Sequence, residues 1–178
     1  DLLIRALADE GDVFVVERPT YLATLQILGL TGATVKSVGS DEHGMIVDEL
    51  EELLQTTRIK CVYVVPTFGN PSGTTLSGER REKLVRLAAE HSFMIIEDDP
   101  YGEIAFTDRR EKPLLQVATE LGCEAHVAYT STFSKILAPG LRVGWIILPE
   151  WMKQKVAIIK QATDLHANAF AQSLVSAY

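Results

Sequence analysis

The chain has 178 residues, 47% of them apolar, with a formal net charge of −7. One domain of this length can bury a sizeable core, and the acidic balance argues against a nucleic-acid surface. No apolar run approaches the ~20 residues that cross a bilayer as a helix, and the two distant cysteines, Cys61 and Cys123, read as small hydrophobes of a reduced, cytoplasmic protein.

Residues 2–9 carry apolar side chains at helical spacing, with Gly11 as a stop. V-F-V-V at 13–16 has the length and continuity of a strand buried on both faces. The turn E-R-P-T-Y leads into a helix over 21–29, and T-V-K-S-V at 34–38 alternates as a strand does. An amphipathic helix over 47–55 and a buried strand at 60–66 follow. The loop T-F-G-N-P-S-G-T-T-L-S then leads to Ser77, a good N-cap for a long helix over 78–91. In that helix Glu79, Arg80 and Arg81 fall outside the apolar stripe of Leu84, Val85, Leu87 and Ala88. F-M-I-I-E at 93–97 is another buried strand, closed by D-D-P-Y. The charged run T-D-R-R-E-K-P at 107–113 reads as a solvated turn. A short helix near 114–121, a strand at 126–130, a strand at 142–148 and a helix from about Pro149 complete the chain.

Strands alternating with helices predict a three-layer α/β/α domain with a mostly parallel sheet. Only about a dozen residues, interrupted by Pro139–Gly140, separate the strands at 126–130 and 142–148. That is tight for a parallel crossover, so the 142–148 strand is predicted to run antiparallel. The sequence opens at Asp1 and closes at Tyr178 inside running helical patterns. A single domain, 1–178, incomplete at both ends, is therefore expected.

In parallel sheets ligands bind beyond the carboxyl ends of the strands, where the distinctive polar residues fall here. Thr132, Ser134 and Arg142 together can grip a phosphate, and Lys135 beside them offers an amine. An amine next to a phosphate grip suggests a phosphorylated aldehyde held as a Schiff base, with Lys135 desolvated enough to attack it. Asp98 closes a buried strand; it is either a turn residue or the partner of a protonated ring nitrogen, with Asp99 as its competitor. Tyr101 and Asn70 can donate to a phenolic oxygen, although a core tyrosine and ordinary turn chemistry account for them equally. Tyr21 can stack on an aromatic ring or simply start a helix. The histidines, His43, His91, His126 and His166, show no metal-ligand spacing, so no metal site is expected.

Four stretches, E-R-P-T-Y, P-T-F-G-N-P-S-G, I-I-E-D-D-P-Y and T-S-T-F-S-K-I-L-A-P-G-L-R-V-G-W, resemble in order and spacing the fold-type I pyridoxal-phosphate aminotransferases of classes I and II. The likeness is nearest to the 2-aminoadipate and kynurenine aminotransferase-like group, and it extends along the whole chain. It implies the large, cofactor-binding domain of a homodimeric enzyme that transfers an amino group from an amino acid to a 2-oxo acid. Lys135 falls on the Schiff-base lysine and proton shuttle, and Asp98 on the partner of the pyridine nitrogen. Tyr101 and Asn70 fall on the phenolic-oxygen donors, Tyr21 on the stacking aromatic, and Thr132, Ser134 and Arg142 on the phosphate grip. The resemblance also implies a cis Asn70–Pro71 bond. Thr132 stands where the family usually has Ser, and Gly69 where many relatives have Gln or Asn. The family's Gly-Ser-Gln-like phosphate loop and its small domain fall outside the chain. Two alternatives share the fold: the effector-binding domain of a helix-turn-helix regulator, and a pyridoxal-phosphate lyase.

Overall fold

The computed structural model describes residues 1–106 and 110–178. Its strands are β1 (Val13–Arg18), β2 (Thr34–Asp41), β3 (Gly44–Met45), β4 (Cys61–Val64), β5 (Met94–Asp98), β6 (Val127–Thr132) and β7 (Gly144–Ile147). They form one sheet in the order β3-β2-β1-β4-β5-β6-β7. The five central strands are mutually parallel, and β7 runs antiparallel to β6, as the short connection predicted. The other edge holds a second antiparallel strand that the sequence reading missed. There β3 pairs with β2 around a tight turn in which His43 N donates to Asp41 Oδ1 and Gly44 takes φ +84°. A two-residue strand is too short to show a period of its own.

Pleating sends alternate strand residues to opposite faces, and each face is roofed by helices. Val15, Val62, Val64, Ile95 and Val127 pack beneath α3 (Val47–Leu54), α4 (Gly78–His91) and α5 (Leu114–Glu120). Phe14, Val16, Cys61, Tyr63, Ile96 and Ala128 pack against α1 (Leu2–Leu7), α2 (Leu22–Gly29) and α7 (Glu150–Asp164). This is the expected three-layer architecture. Each fully buried Val, Leu, Ile or Phe contributes roughly 1.5–3 kcal/mol to it.

Ser77 caps α4 as expected, accepting from Arg80 N. Three features differ from the sequence reading. Arg81 is not outside the apolar stripe; it is 1% exposed, because loop carbonyls and a hydroxyl saturate its guanidinium. The final helix is two: α7 ends at Leu165, whose φ is +62°, and α8 (Ala169–Ala177) restarts from Asn168, which accepts from Ala171 N. Finally, the connection before β7 contains a one-turn helix, α6 (Phe133–Ile136), and a 3-10 turn at Pro139–Leu141. Of the charged run at 107–113, residues 107–109 lie outside the described residues; Arg110 and Lys112 are exposed, in keeping with a solvated turn.

Candidate functional site

Because β1, β4, β5 and β6 are parallel, their carboxyl ends open on one side of the sheet. Tyr21 follows β1, Asn70 follows β4, Asp98 ends β5 with Tyr101 just beyond, and Thr132 ends β6. The one-turn α6 then carries Ser134 and Lys135, and Arg142 follows the 3-10 turn. All eight side chains singled out in the sequence line one cavity of about 350 Å³.

The hydroxyl–guanidinium cluster is assembled on that wall. Thr132 is the N-cap of α6, accepting from Ser134 N at 3.0 Å, and its hydroxyl donates to Ser134 Oγ at 2.9 Å. Arg142 Nη1 reaches the same Ser134 oxygen at 3.5 Å and donates to Pro139 O at 3.1 Å. Arg142 is not the first residue of a strand, as the sequence suggested. It adopts a left-handed conformation, φ +54° and ψ +37°, that ends the 3-10 turn, and β7 begins two residues later. At that start Gly144 lies so close to β6 that an added Cβ would sit 2.7 Å from Ser131 O, so no larger residue fits without displacing the strand that ends at Thr132.

Lys135 is exposed, with Nζ 5.9 Å from the centroid of the Tyr101 ring. The desolvation expected of it is not found: Lys135 stands on the single turn α6, with its side chain exposed. Tyr21 is 42% exposed and is the N-cap of α2, its ring on the cavity boundary.

Asp98 and Asp99 are separated by the pleat. Asp98 lines the cavity, and its Oδ2 accepts a 2.6 Å hydrogen bond from Tyr63 Oη. Burial raises its pKa above the usual carboxylate range, and the Tyr63 hydroxyl opposes that rise. Asp99 turns away from this cavity, accepting from Gly102 N at 2.9 Å and from Tyr129 Oη at 3.2 Å. The competition left open in the sequence is thus resolved in placement by strand alternation.

Asn70 sits on the 66–76 loop, which is closed by Leu76 N donating to Pro66 O at 2.8 Å. Its bond to Pro71 is cis, as expected; the Arg18–Pro19 bond is also cis, which the sequence reading did not anticipate. The loop is held from below by Arg81, which donates to Leu76 O, Pro66 O, Thr67 Oγ1 and Lys112 O at 2.6–3.1 Å. Beside Arg81, at 4.0 Å, lies Glu97, fully buried and accepting from Leu114 N and Leu115 N. Burial pushes the Glu97 carboxyl up to about 7 despite those donors. Sequence reasoning missed Arg81, Glu97 and Tyr63. An arginine directly before an apolar stripe, an acid just ahead of D-D, and a lone tyrosine in K-C-V-Y-V-V-P were the available signals.

The arrangement suits a flat, phosphorylated aromatic ligand. Two hydroxyls and a guanidinium converge at one wall. A half-buried acid with one oxygen already engaged stands in another, and an exposed amine lies beside them. Among the described residues no cluster of three or more His, Cys, Asp or Glu could hold a metal ion.

Comparison with known proteins agrees with this geometry. The family model described as aminotransferase class I and II matches residues 1–178. An aromatic-amino-acid aminotransferase of Thermococcus litoralis is 42% identical over all of this chain and 43% of its own length. Kynurenine aminotransferase of Pyrococcus horikoshii, crystallised with PMP and kynurenine, superposes with a TM-score of 0.90 at 43% identity, over 96% of this chain and 43% of that one. The α-aminoadipate aminotransferase of Thermus thermophilus, bound to N-(5'-phosphopyridoxyl)-L-leucine, superposes with a TM-score of 0.94 at 34% identity, over 98% of this chain and 44% of its own. The chain thus spans under half the length of the relatives it matches.

Proposed function

Since this chain belongs to the class I and II aminotransferases, we propose that it is the cofactor-binding large domain of a pyridoxal-phosphate-dependent enzyme that transfers an amino group from an amino acid to a 2-oxo acid. The observation that carries this reading is the convergence of eight separately required side chains, from four strand ends, on a single cavity.

When bound, pyridoxal phosphate supplies an aldehyde that captures amines and a ring that accepts electrons. The chain's residues do the rest. Arg142 and the Thr132 and Ser134 hydroxyls would bind the phosphate, the guanidinium supplying a permanent positive charge. Asp98 would pair with the ring nitrogen and favour its protonated form. Asn70 and Tyr101 would donate to the phenolic oxygen, and Tyr21 would cover a ring face. Lys135 would hold the cofactor through its amine, and the same amine is placed to move a proton at a substrate's alpha carbon. Its exposure leaves it accessible to both.

The same reading extends to a homodimeric assembly and a cytoplasmic location, which rest on the family likeness. Among the described residues no helix is long and apolar enough to cross a membrane.

Replacement of Lys135 by Ala in the full-length protein tests the proposal. Transamination should fall by about 10³-fold or more, the scale of a lost acid–base and nucleophilic group, and the visible absorbance of the bound cofactor should change. A variant that transaminates at the wild-type rate refutes the role of Lys135.

A further inference from the structure

Nothing in the reading above uses the hydroxyl of Tyr63, although it makes a short hydrogen bond inside the site. Tyr63 lies on β4 in parallel register with Ile96 on β5, so Tyr63 and Asp98 point to the same face of the sheet. Tyr63 is 4% exposed, and its hydroxyl ends 2.6 Å from Asp98 Oδ2. Burial first, then the charge of Asp98, push the phenol far above its ordinary pKa, so it stays protonated and can only donate to this acid. Thr24, on the first turn of the helix that Tyr21 caps, stands beside the same hydroxyl. Among the described residues no donor reaches Asp98 Oδ1. One oxygen of the acid is therefore fixed by the protein, and the other remains for the cavity.

We propose that Tyr63 is a positioning residue: its hydroxyl holds the Asp98 carboxylate in one rotamer and in its ionised form, so that Oδ1 is presented to a protonated ring nitrogen. The inference rests on the reading of Asp98 as the partner of that nitrogen. Burial shifts a carboxylate at this half-buried position towards its protonated form, and a protonated acid has no charge with which to hold a cationic ring. One charge-assisted donor counters that tendency by roughly ten- to a hundredfold in the protonation constant. The other ionisable side chains facing the pair are Glu17 on β1, Asp99 next in the chain, and Lys135 and Arg142 across the cavity.

The test is Tyr63→Phe in the full-length protein, which removes one oxygen and keeps the packed ring. Carboxyl-carbon NMR of aspartate-labelled protein without cofactor reports the titration of Asp98, assigned as the signal absent from Asp98→Asn. Nitrogen-15 NMR of bound, ring-labelled pyridoxal phosphate reports the state of the ring nitrogen. Tyr63→Phe should raise the proton affinity of Asp98 by about tenfold or more and move the ring-nitrogen signal towards the unprotonated position. Tyr129→Phe, which removes a donor to Asp99 instead, should leave both readouts unchanged. If Asp98→Asn shifts the ring-nitrogen signal but Tyr63→Phe moves neither readout, Tyr63 merely fills space and the inference is wrong. If Asp98→Asn itself leaves the ring-nitrogen signal unchanged, the underlying assignment of Asp98 fails instead.

Discussion

Glu17 ends the buried part of β1 with a carboxyl that the sheet almost encloses. It is 7% exposed, and Val65 N donates to it at 3.1 Å. Burial pushes its pKa up to about 7 from 4.5, against the opposing pull of Val65 N. A carboxyl whose pKa is higher in the folded chain holds its proton more tightly there. Its contribution to stability is therefore complete below about 4.5 and is lost as pH rises through about 7. The change is on the order of 3 kcal/mol. Glu17→Gln keeps an acceptor for Val65 N and removes the charge, so it should flatten this decline. Denaturant titrations at pH 5 and pH 8 should show the variant losing distinctly less stability between them than the parent; equal losses would rule out Glu17 as the source. At this scale the sequence was most legible where several weak signals fall in one short stretch, as with Thr132, Ser134, Lys135 and Arg142, which line one cavity. Tyr63 was not legible, because an apolar strand hides which of its residues ends beside an acid on the next strand.

Among the elements, the 66–76 loop shows how a tip residue can be held without a helix or strand beneath it. Its two ends are drawn together by one backbone bond and by Arg81, whose guanidinium also reaches the start of α5 through Lys112 O. Arg81→Ala would leave the two buried carbonyls of Leu76 and Pro66, and the partly buried one of Lys112, without that donor, and Glu97 without its nearest cation. A destabilisation of about 3–5 kcal/mol is expected, with faster proteolysis of the loop that carries Asn70. Thermal unfolding and limited digestion measure both, and Arg81→Lys should restore only part, since an ammonium cannot span the same fork of acceptors. A variant as stable as the parent would show that the loop closes by its own backbone. The helices and strands around this loop were legible from their periodicity. The clamp was not, since helical spacing assigned Arg81 to solvent and no local pattern reveals that distant loop carbonyls converge on it.

For the molecule as a whole, the parallel centre of the sheet decides where chemistry can occur. It brings the ends of β1, β4, β5 and β6 to one side, and the antiparallel β7 closes the edge next to Thr132 and Arg142. The alternation of strands and helices made that topology readable, including the reversal at β7. The extra edge strand β3, the single turn of α6 and the break at Leu165 were not readable. Each spans only about one hydrophobic period or depends on a local backbone angle. What the whole arrangement requires is that one particular amine holds the cofactor. Full-length protein incubated with pyridoxal phosphate, reduced with borohydride and digested can be mapped by mass spectrometry. The account predicts the phosphopyridoxyl group on the peptide containing Lys135, and its loss from Lys135→Ala. A label confined to another lysine, or no label at all, would contradict it.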